Sequence, residues 1–242
     1  MEQPLLITGG TQGIGRALVD HYRMRARVLT CGRDEASINE LNALEGVEAI
    51  RCDLTIPEER LALIQWAERH SLAGVINNAA VQEPLVVDHA DAARVEREVQ
   101  LNLLAPLAIG HALLSRIEVG GFIANLSSGL AYVPFRRAPV YAATKAALSM
   151  YTRSAQLQPS RVRWVEVILP MVDTAMTRGR GRGKIPASLA ALQIARGIEA
   201  GRPRVHVGKA RMLPLVLRTV PSLLGRMLNQ DAPKLPATSV EI

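Results

Sequence analysis

Tyr141 and Lys145 stand four residues apart, and on a helix that spacing puts a phenol and an ammonium on one face. A free phenol ionises near ~10, and a neighbouring cation favours its charged form. The pair therefore reads as a proton donor and acceptor, with Lys145 expected to bring Tyr141 toward working pH. Thirteen residues before Tyr141 stands Ser128, closing the run Asn125-Leu126-Ser127-Ser128. Its hydroxyl can bond a carbonyl oxygen; Ser127 is the alternative and reads as structural. Asn102, in Leu101-Asn102-Leu103, joins the set, with a helix-interior or capping role as the plain reading. Y-x-x-x-K alone also describes any amphipathic helix face, so the pair needs support from elsewhere in the chain.

That support lies at the N-terminal end. Thr8-Gly9-Gly10-Thr11-Gln12-Gly13-Ile14-Gly15 falls between the first apolar run and the first helical pattern. Glycines let a backbone approach a pyrophosphate closely, and the helix start offers free N–H groups and partial positive charge. The spacing Gly9, Gly13, Gly15 differs from the G-x-G-x-x-G fingerprint of other dinucleotide binders. The second strand pattern ends Thr30-Cys31-Gly32-Arg33, with glycine where an NAD-type ribose acid would stand. Arg33 next to it suits a bidentate phosphate; the alternative is a solvated Arg33 with Asp34 as the ribose acid. The third ends Cys52-Asp53-Leu54 and the fourth Asn77-Asn78-Ala79-Ala80. Asp53 on its own reads as a strand-end or turn residue. The sixth ends Leu169-Pro170-Met171, followed by Val172-Asp173-Thr174.

In order and spacing these segments resemble the short-chain dehydrogenase/reductase family over residues 4–176. The resemblance implies a catalytic tetrad of Asn102, Ser128, Tyr141 and Lys145. It implies cofactor contacts from Gly9, Thr11, Gln12, Gly13, Ile14, Gly15, Arg33, Asp53, Leu54, Asn78, Ala79, Tyr141, Lys145, Pro170 and Thr174. Asp53 and Leu54 would meet the adenine, and Thr174 the nicotinamide carboxamide. The Asn102 backbone, at a helix kink, would help hold a water that links Lys145 to solvent. The implied reaction moves hydride between NADP(H), with NAD(H) the second choice, and a carbonyl or secondary alcohol, Tyr141 acting as general acid and base. Ala80 and Met171 depart from the glycines the family places there, and Met171 puts a side chain where backbone usually nears the cofactor. The alternative function is a catalytically silent NADP(H)-binding regulator or scaffold of the same fold.

These residues need a frame that brings strand ends to one edge. Short apolar runs at 5–7, 27–31, 47–52, 74–77, 121–126, 162–169 and 204–207 alternate with helical patterns at 14–22, 37–44, 58–70, 88–100, 102–116 and 141–156. Such alternation predicts an α/β fold of right-handed βαβ units. With the resemblance, it predicts a Rossmann-type three-layer fold with a seven-stranded central parallel sheet. A single domain over 1–242 follows, with a substrate lid over about 175–200 and a flexible tail over about 230–242. Aromatics are 3% of the chain, so aliphatic side chains must fill the core.

The net charge of +7 attracts anions without choosing among them. Arg178, Arg180, Arg182 and Lys184 fall among glycines on the lid, which suggests an anionic substrate; a solvated flexible loop is the alternative. Nucleic acid is not expected, for want of interleaved aromatics or a binding motif. The apolar stretch 212–228 is broken by Pro214 and Pro221, so packing on the body or at a subunit contact is preferred over a membrane surface. Cys31 and Cys52 would be neighbours on adjacent strands, reduced and packing, by the adenine pocket. The low cysteine count and the N-terminus, without a basic leader, point to the cytoplasm. None of His21, His70, His89, His111 and His206 has metal-ligand spacing, so no metal is expected. Family resemblance implies a homodimer or homotetramer, with Ala142, Ala143, Ala146 and Ala147 giving a smooth helix surface.

Overall fold

Apolar strands too short to stand alone are stitched into one sheet by the helices between them. The computed structural model describes residues 3–181, 183–219, 225–226 and 228–229. The tail expected over 230–242 lies outside the described residues, as does Arg182. The strands are β1 Leu5–Thr8, β2 Val28–Gly32, β3 Val47–Arg51, β4 Leu72–Asn77, β5 Ile117–Ser128, β6 Arg163–Leu169, β7 Val172–Asp173, β8 Ile185–Pro186 and β9 Arg204–His206. The helices are α1 Gly13–Tyr22, α2 Glu35–Asn42, α3 Pro57–Ala67, α4 Ala92–Val99, α5 Ala105–Leu113, α6 Pro139–Ala155, α7 Ala187–Glu199 and α8 Leu213–Thr219.

Seven strands form a parallel sheet in the order β3-β2-β1-β4-β5-β6-β9, while β7 and β8 pair separately. Side chains alternate across a strand, so β1 feeds both faces. Leu5 and Ile7 join a core with α1, α2 and α7, and Leu6 joins a second core with α3 and α5. Both faces are thus covered, giving the expected three layers. The β1–β4 neighbours split the crossovers to opposite sides, and the C-terminal ends of β1, β4, β5 and β6 meet along one edge.

Three sequence boundaries change. The helices expected at 88–100 and 102–116 are one run, α4 passing through a π-turn at Gln100–Leu104 into α5. Strand β5 starts at Ile117, before a register shift between Leu72 and Gly74 and the left-handed Gly120 (φ 82°). Of the lid expected over 175–200, residues 187–199 are helix α7, whose Ala190, Ala191, Ile194, Ala195 and Ile198 are buried in the core. Among the described residues no helix is long and apolar enough to cross a membrane. In the 212–228 stretch, Met212 and Leu215 are exposed. Cys31 and Cys52 are free and buried, and the Cys52 thiol donates to the Glu59 carbonyl at 3.3 Å.

Candidate active site

The glycine turn is built by the ends of β1 and β4. Asn78 donates its amide to the carbonyls of Thr8 (2.9 Å) and Gly9 (3.2 Å), and the backbone N–H groups of Asn78 and Ala79 donate to Thr8 Oγ1 at 3.0 and 3.1 Å. Gly9 (φ 71°) and Gly13 (φ 57°) take the left-handed conformation that favours glycine. Helix α1 then starts without a side-chain cap at Gln12 and without an acidic residue in its first turn. An uncapped, acid-free helix start beside a tight turn is chemically suited to a phosphate. Thr11 and Ile14 are half-buried, Gln12 is exposed, and Gly15 is buried. Thr174 reaches the same place from the other side: its Cγ2 lies 3.2 Å from where a Cβ on Gly13 would stand.

At the far end of the turn, a Cβ on Gly32 would fall 2.3 Å from Thr11 Cγ2. A carboxylate side chain there would displace Thr11, and the exposed Arg33 is the charged group that follows. Arg33 stands 3.9 Å from Asp53. Asp53 Oδ1 accepts from the Thr55 N–H (2.9 Å) and hydroxyl (2.8 Å), so the side chain closes a turn while its other oxygen faces Arg33. Leu54 is buried beneath.

The proton-handling residues converge where β5 meets α6. The Ser128 side chain lies close enough to the Tyr141 phenol to favour its ionised form, and its Oγ accepts the Leu130 N–H at 3.1 Å. Lys145 is buried, donates to the Leu126 carbonyl at 2.8 Å, and holds Nζ 5.7 Å from the Tyr141 ring centroid. Ser127 instead donates to the Lys145 carbonyl at 3.2 Å, anchoring α6. Asn102 sits in the π-turn, fully buried. Its Oδ1 accepts the Val81 N–H at 2.9 Å, and its Nδ2 donates to the Val81 carbonyl (2.8 Å) and to Thr144 Oγ1 (3.3 Å). The side chain thus ties the segment after β4 to the residue preceding Lys145. A π-turn at such a position is a frequent mark of a functional site.

Electrostatics depart from the sequence expectation in one respect. Burial pushes the Tyr141 phenol up to about 12, with the Ser128 side chain and the Arg180 charge pulling it down and the Glu98 charge pushing it up. Burial also brings Lys145 down to about 8, opposed by Glu98. A cation of the lid, Arg180, also reaches the phenol with its charge.

Pro170 leads from β6 to that lid, which begins with Thr174 capping a short turn at Ala175–Thr177. Lys184 is drawn back onto Asp173 (3.1 Å) and the Thr177 carbonyl (2.9 Å), while Arg178 is exposed. Arg180 is half-buried and donates to the Met176 carbonyl. Met171 points at the lid, its Sδ filling the space beside Gly181, so this departure from glycine serves loop packing.

Two charged groups were not singled out in the sequence. Glu98 is buried beside the Tyr141–Lys145 pair. Glu166, also buried, accepts from Tyr132 (2.5 Å), Ser149 and Arg204 Nε (2.9 Å), while Arg204 Nη2 donates to the Tyr132 hydroxyl (3.0 Å). The signal for Glu166 was present, as a carboxylate inside the apolar run Trp164-Val165-Glu166-Val167. Glu98 gives no such signal, lying in the polar stretch Glu96-Arg97-Glu98.

Comparison with known proteins bears on this geometry. The family model described as short chain dehydrogenase matches residues 3–184. The uncharacterized oxidoreductase DltE of Bacillus subtilis is 34% identical over 191 residues, covering 72% of this chain and 73% of that protein. A short chain dehydrogenase from Burkholderia cenocepacia, solved in complex with NADP, superposes with a TM-score of 0.79 at 26% identity, covering 93% of this chain and 97% of that one. A short chain dehydrogenase/reductase from Burkholderia phymatum, solved with NAD, superposes at 0.78 with 18% identity over 97% of each chain, a likeness of fold.

Proposed function

This chain belongs to the short-chain dehydrogenase/reductase family, a family of oxidoreductases, and from that premise we propose that it reduces a carbonyl compound with NADPH, or oxidises the matching secondary alcohol with NADP. The observation that carries the reading is the convergence on the Tyr141 phenol of the Ser128 side chain and the Lys145 ammonium, 5.7 Å from the ring centroid. The glycine turn, Asn78, Ala79 and Thr174 would hold the cofactor, and Arg33 the phosphate that distinguishes NADP. When bound, the cofactor supplies the hydride.

Ser128 orients the substrate oxygen by donating a hydrogen bond to it. Tyr141 gives that oxygen its proton during reduction and takes it back during oxidation. Both roles need the phenol brought down from about 12, and the positive charges of Arg180 and of Lys145 beside the ring favour the ionised phenol. Asn102 holds the segment after β4 and α6 in register so that the two helical residues stay aimed. Arg180 also supports an anionic substrate, because its charge is felt at the phenol while Lys184 is engaged by Asp173. Free buried cysteines suit the cytoplasm, and the exposed Ala143, Ala147 and Met150 on α6 suit packing against a second copy.

The test is NADPH oxidation with a panel that pairs neutral ketones and aldehydes with carboxylate-bearing counterparts. Turnover is expected, faster with the anionic member of a pair. Tyr141→Phe should lower kcat by about 10²–10⁴ while the variant still binds NADPH. NADPH binding without turnover on any substrate would favour a silent regulator or scaffold instead.

A further inference from the structure

Glu98 is a buried carboxyl group that the reading above leaves without a role. It is 1% exposed, on the last turn of α4, four residues before Asn102. Its Oε1 accepts the Glu83 N–H at a long 3.4 Å, and among the described residues it makes no ion pair within bonding distance. Helix α4 packs on α6, and Glu98 and Lys145 feel each other's charge. The Glu98 charge also reaches Tyr141.

The groups whose charges couple with Glu98 lie on two elements. On α6, against which α4 packs, are Lys145 and Tyr141. From the segment after β4 comes Glu83, whose own charge is offset by Arg97 (3.2 Å) and Arg94 (3.8 Å). Lys145 meanwhile is a buried ammonium whose bonded partner is the neutral carbonyl of Leu126. An ammonium taken out of water and left with a neutral partner sheds its proton readily. A carboxylate in the same low-dielectric interior opposes that loss more strongly than one at the surface.

We propose that Glu98 is a positioning residue for this site, its carboxylate being the counter-charge that keeps Lys145 an ammonium while Tyr141 works. The proposal rests on the reading of Tyr141 and Lys145 as the acid–base pair. Burial raises Glu98 to about 7 and lowers Lys145 to about 8. Below the first value Glu98 is largely neutral and its support fades, yet by pH 6 the ammonium predominates even with its transition a unit lower. Between the two values the carboxylate is present while the ammonium is at risk.

Glu98→Gln keeps the shape and the acceptor for the Glu83 N–H but cannot carry charge. The basic limb of kcat should move down by about one pH unit, the low end for removing a close opposite charge. Activity should fall about fivefold at pH 8 and little at pH 6, as the ammonium fraction requires. Glu98→Asp, which keeps the charge, should bring the limb back toward wild type. A second readout needs no turnover: NMR titration of the Lys145 side chain in the cofactor-free protein should show the same downward shift in Glu98→Gln. Wild-type Lys145 should also show a minor inflection near 7 as Glu98 ionises, a test that stands if the variant does not fold. An equal loss at pH 6 and pH 8, or a Lys145 titration blind to Glu98, would overturn the proposal. If no carbonyl substrate is turned over, the acid–base reading fails, and the Lys145 titration still decides whether Glu98 sets its charge.

Discussion

Replacing Gly15 with alanine asks whether the turn between β1 and α1 is built to hold a phosphate. The backbone leaves no room for the methyl. Its Cβ would lie 2.0 Å from the Gly9 carbonyl oxygen and 2.5 Å from Asn78 Nδ2, where ordinary contact begins at 3.4 Å. Neither neighbour can swing away cheaply, since one is backbone and the other is held by the carbonyls of Thr8 and Gly9. The turn and the helix must therefore part by roughly an ångström, and overpacking of this kind costs about 1–3 kcal/mol. Parting them also displaces the N–H groups at the start of α1. Since about 1.4 kcal/mol is tenfold in affinity, NADPH binding should weaken by about tenfold to a hundredfold. Fluorescence titration of NADPH measures this, and thermal melting measures the folding cost, about 2–4 °C per kcal/mol for a chain of this size. Gly120→Ala is the control. Gly120, unlike Gly15, is left-handed (φ 82°), but it has nothing within 4 Å of its added Cβ and lies on β5. It should lose about 1–2 kcal/mol for the backbone conformation alone. Both variants should melt lower, and only Gly15→Ala should bind NADPH more weakly. Wild-type NADPH affinity in a folded Gly15→Ala would refute the phosphate reading of the turn.

Two further outcomes are expected. Arg33→Ala should weaken NADPH by about tenfold or more, the worth of a charge-assisted phosphate contact, and leave NADH nearly unchanged; an equal loss for both cofactors would show that Arg33 does not read the phosphate. Arg204→Met leaves the buried Glu166 carboxylate with hydroxyl partners only. It should cost about 2 kcal/mol in urea unfolding, less than a fully buried pair because the Arg204 side chain is 38% exposed. Unchanged stability would mean that the Tyr132–Ser149–Glu166–Arg204 cluster is not holding β6 to β9.

Much of this was legible in the sequence because it depends on local spacing. The short apolar runs of the strands, the glycines after β1 and the i, i+4 pair on α6 each follow from neighbours along the chain. What was not legible depends on tertiary packing. The π-turn at Gln100–Leu104 inserts one residue into a helical run without changing its composition. Helix α7 does show its apolar stripe at Ala190, Ala191, Ile194, Ala195 and Ile198, yet the family resemblance drew those residues into the lid. Glu98 reads as a surface residue in a charged stretch, and only the packing of α4 on α6 buries it.

The same distinction explains how Tyr141 is aimed. Tyr141, Lys145, Ser149 and Thr152 follow at helical spacing on α6, and each finds a polar partner where a greasy seam would be expected. Tyr141 meets Ser128, Lys145 meets the Leu126 carbonyl, Ser149 meets Glu166, and Thr152 accepts from Asn125 at 2.8 Å. Apolar side chains tolerate sliding and rotation at little cost, because dispersion and burial are not directional. Hydrogen bonds in a dry interior are directional, and an unpaired member costs about 1–3 kcal/mol. Slipping α6 against the sheet would break several of these at once. The helix is therefore fixed in both rotation and height by groups that take no part in the reaction, and the phenol hydroxyl inherits that precision. On this argument Ser149 and Thr152, unremarkable as sequence, matter to the site as much as the glycines do.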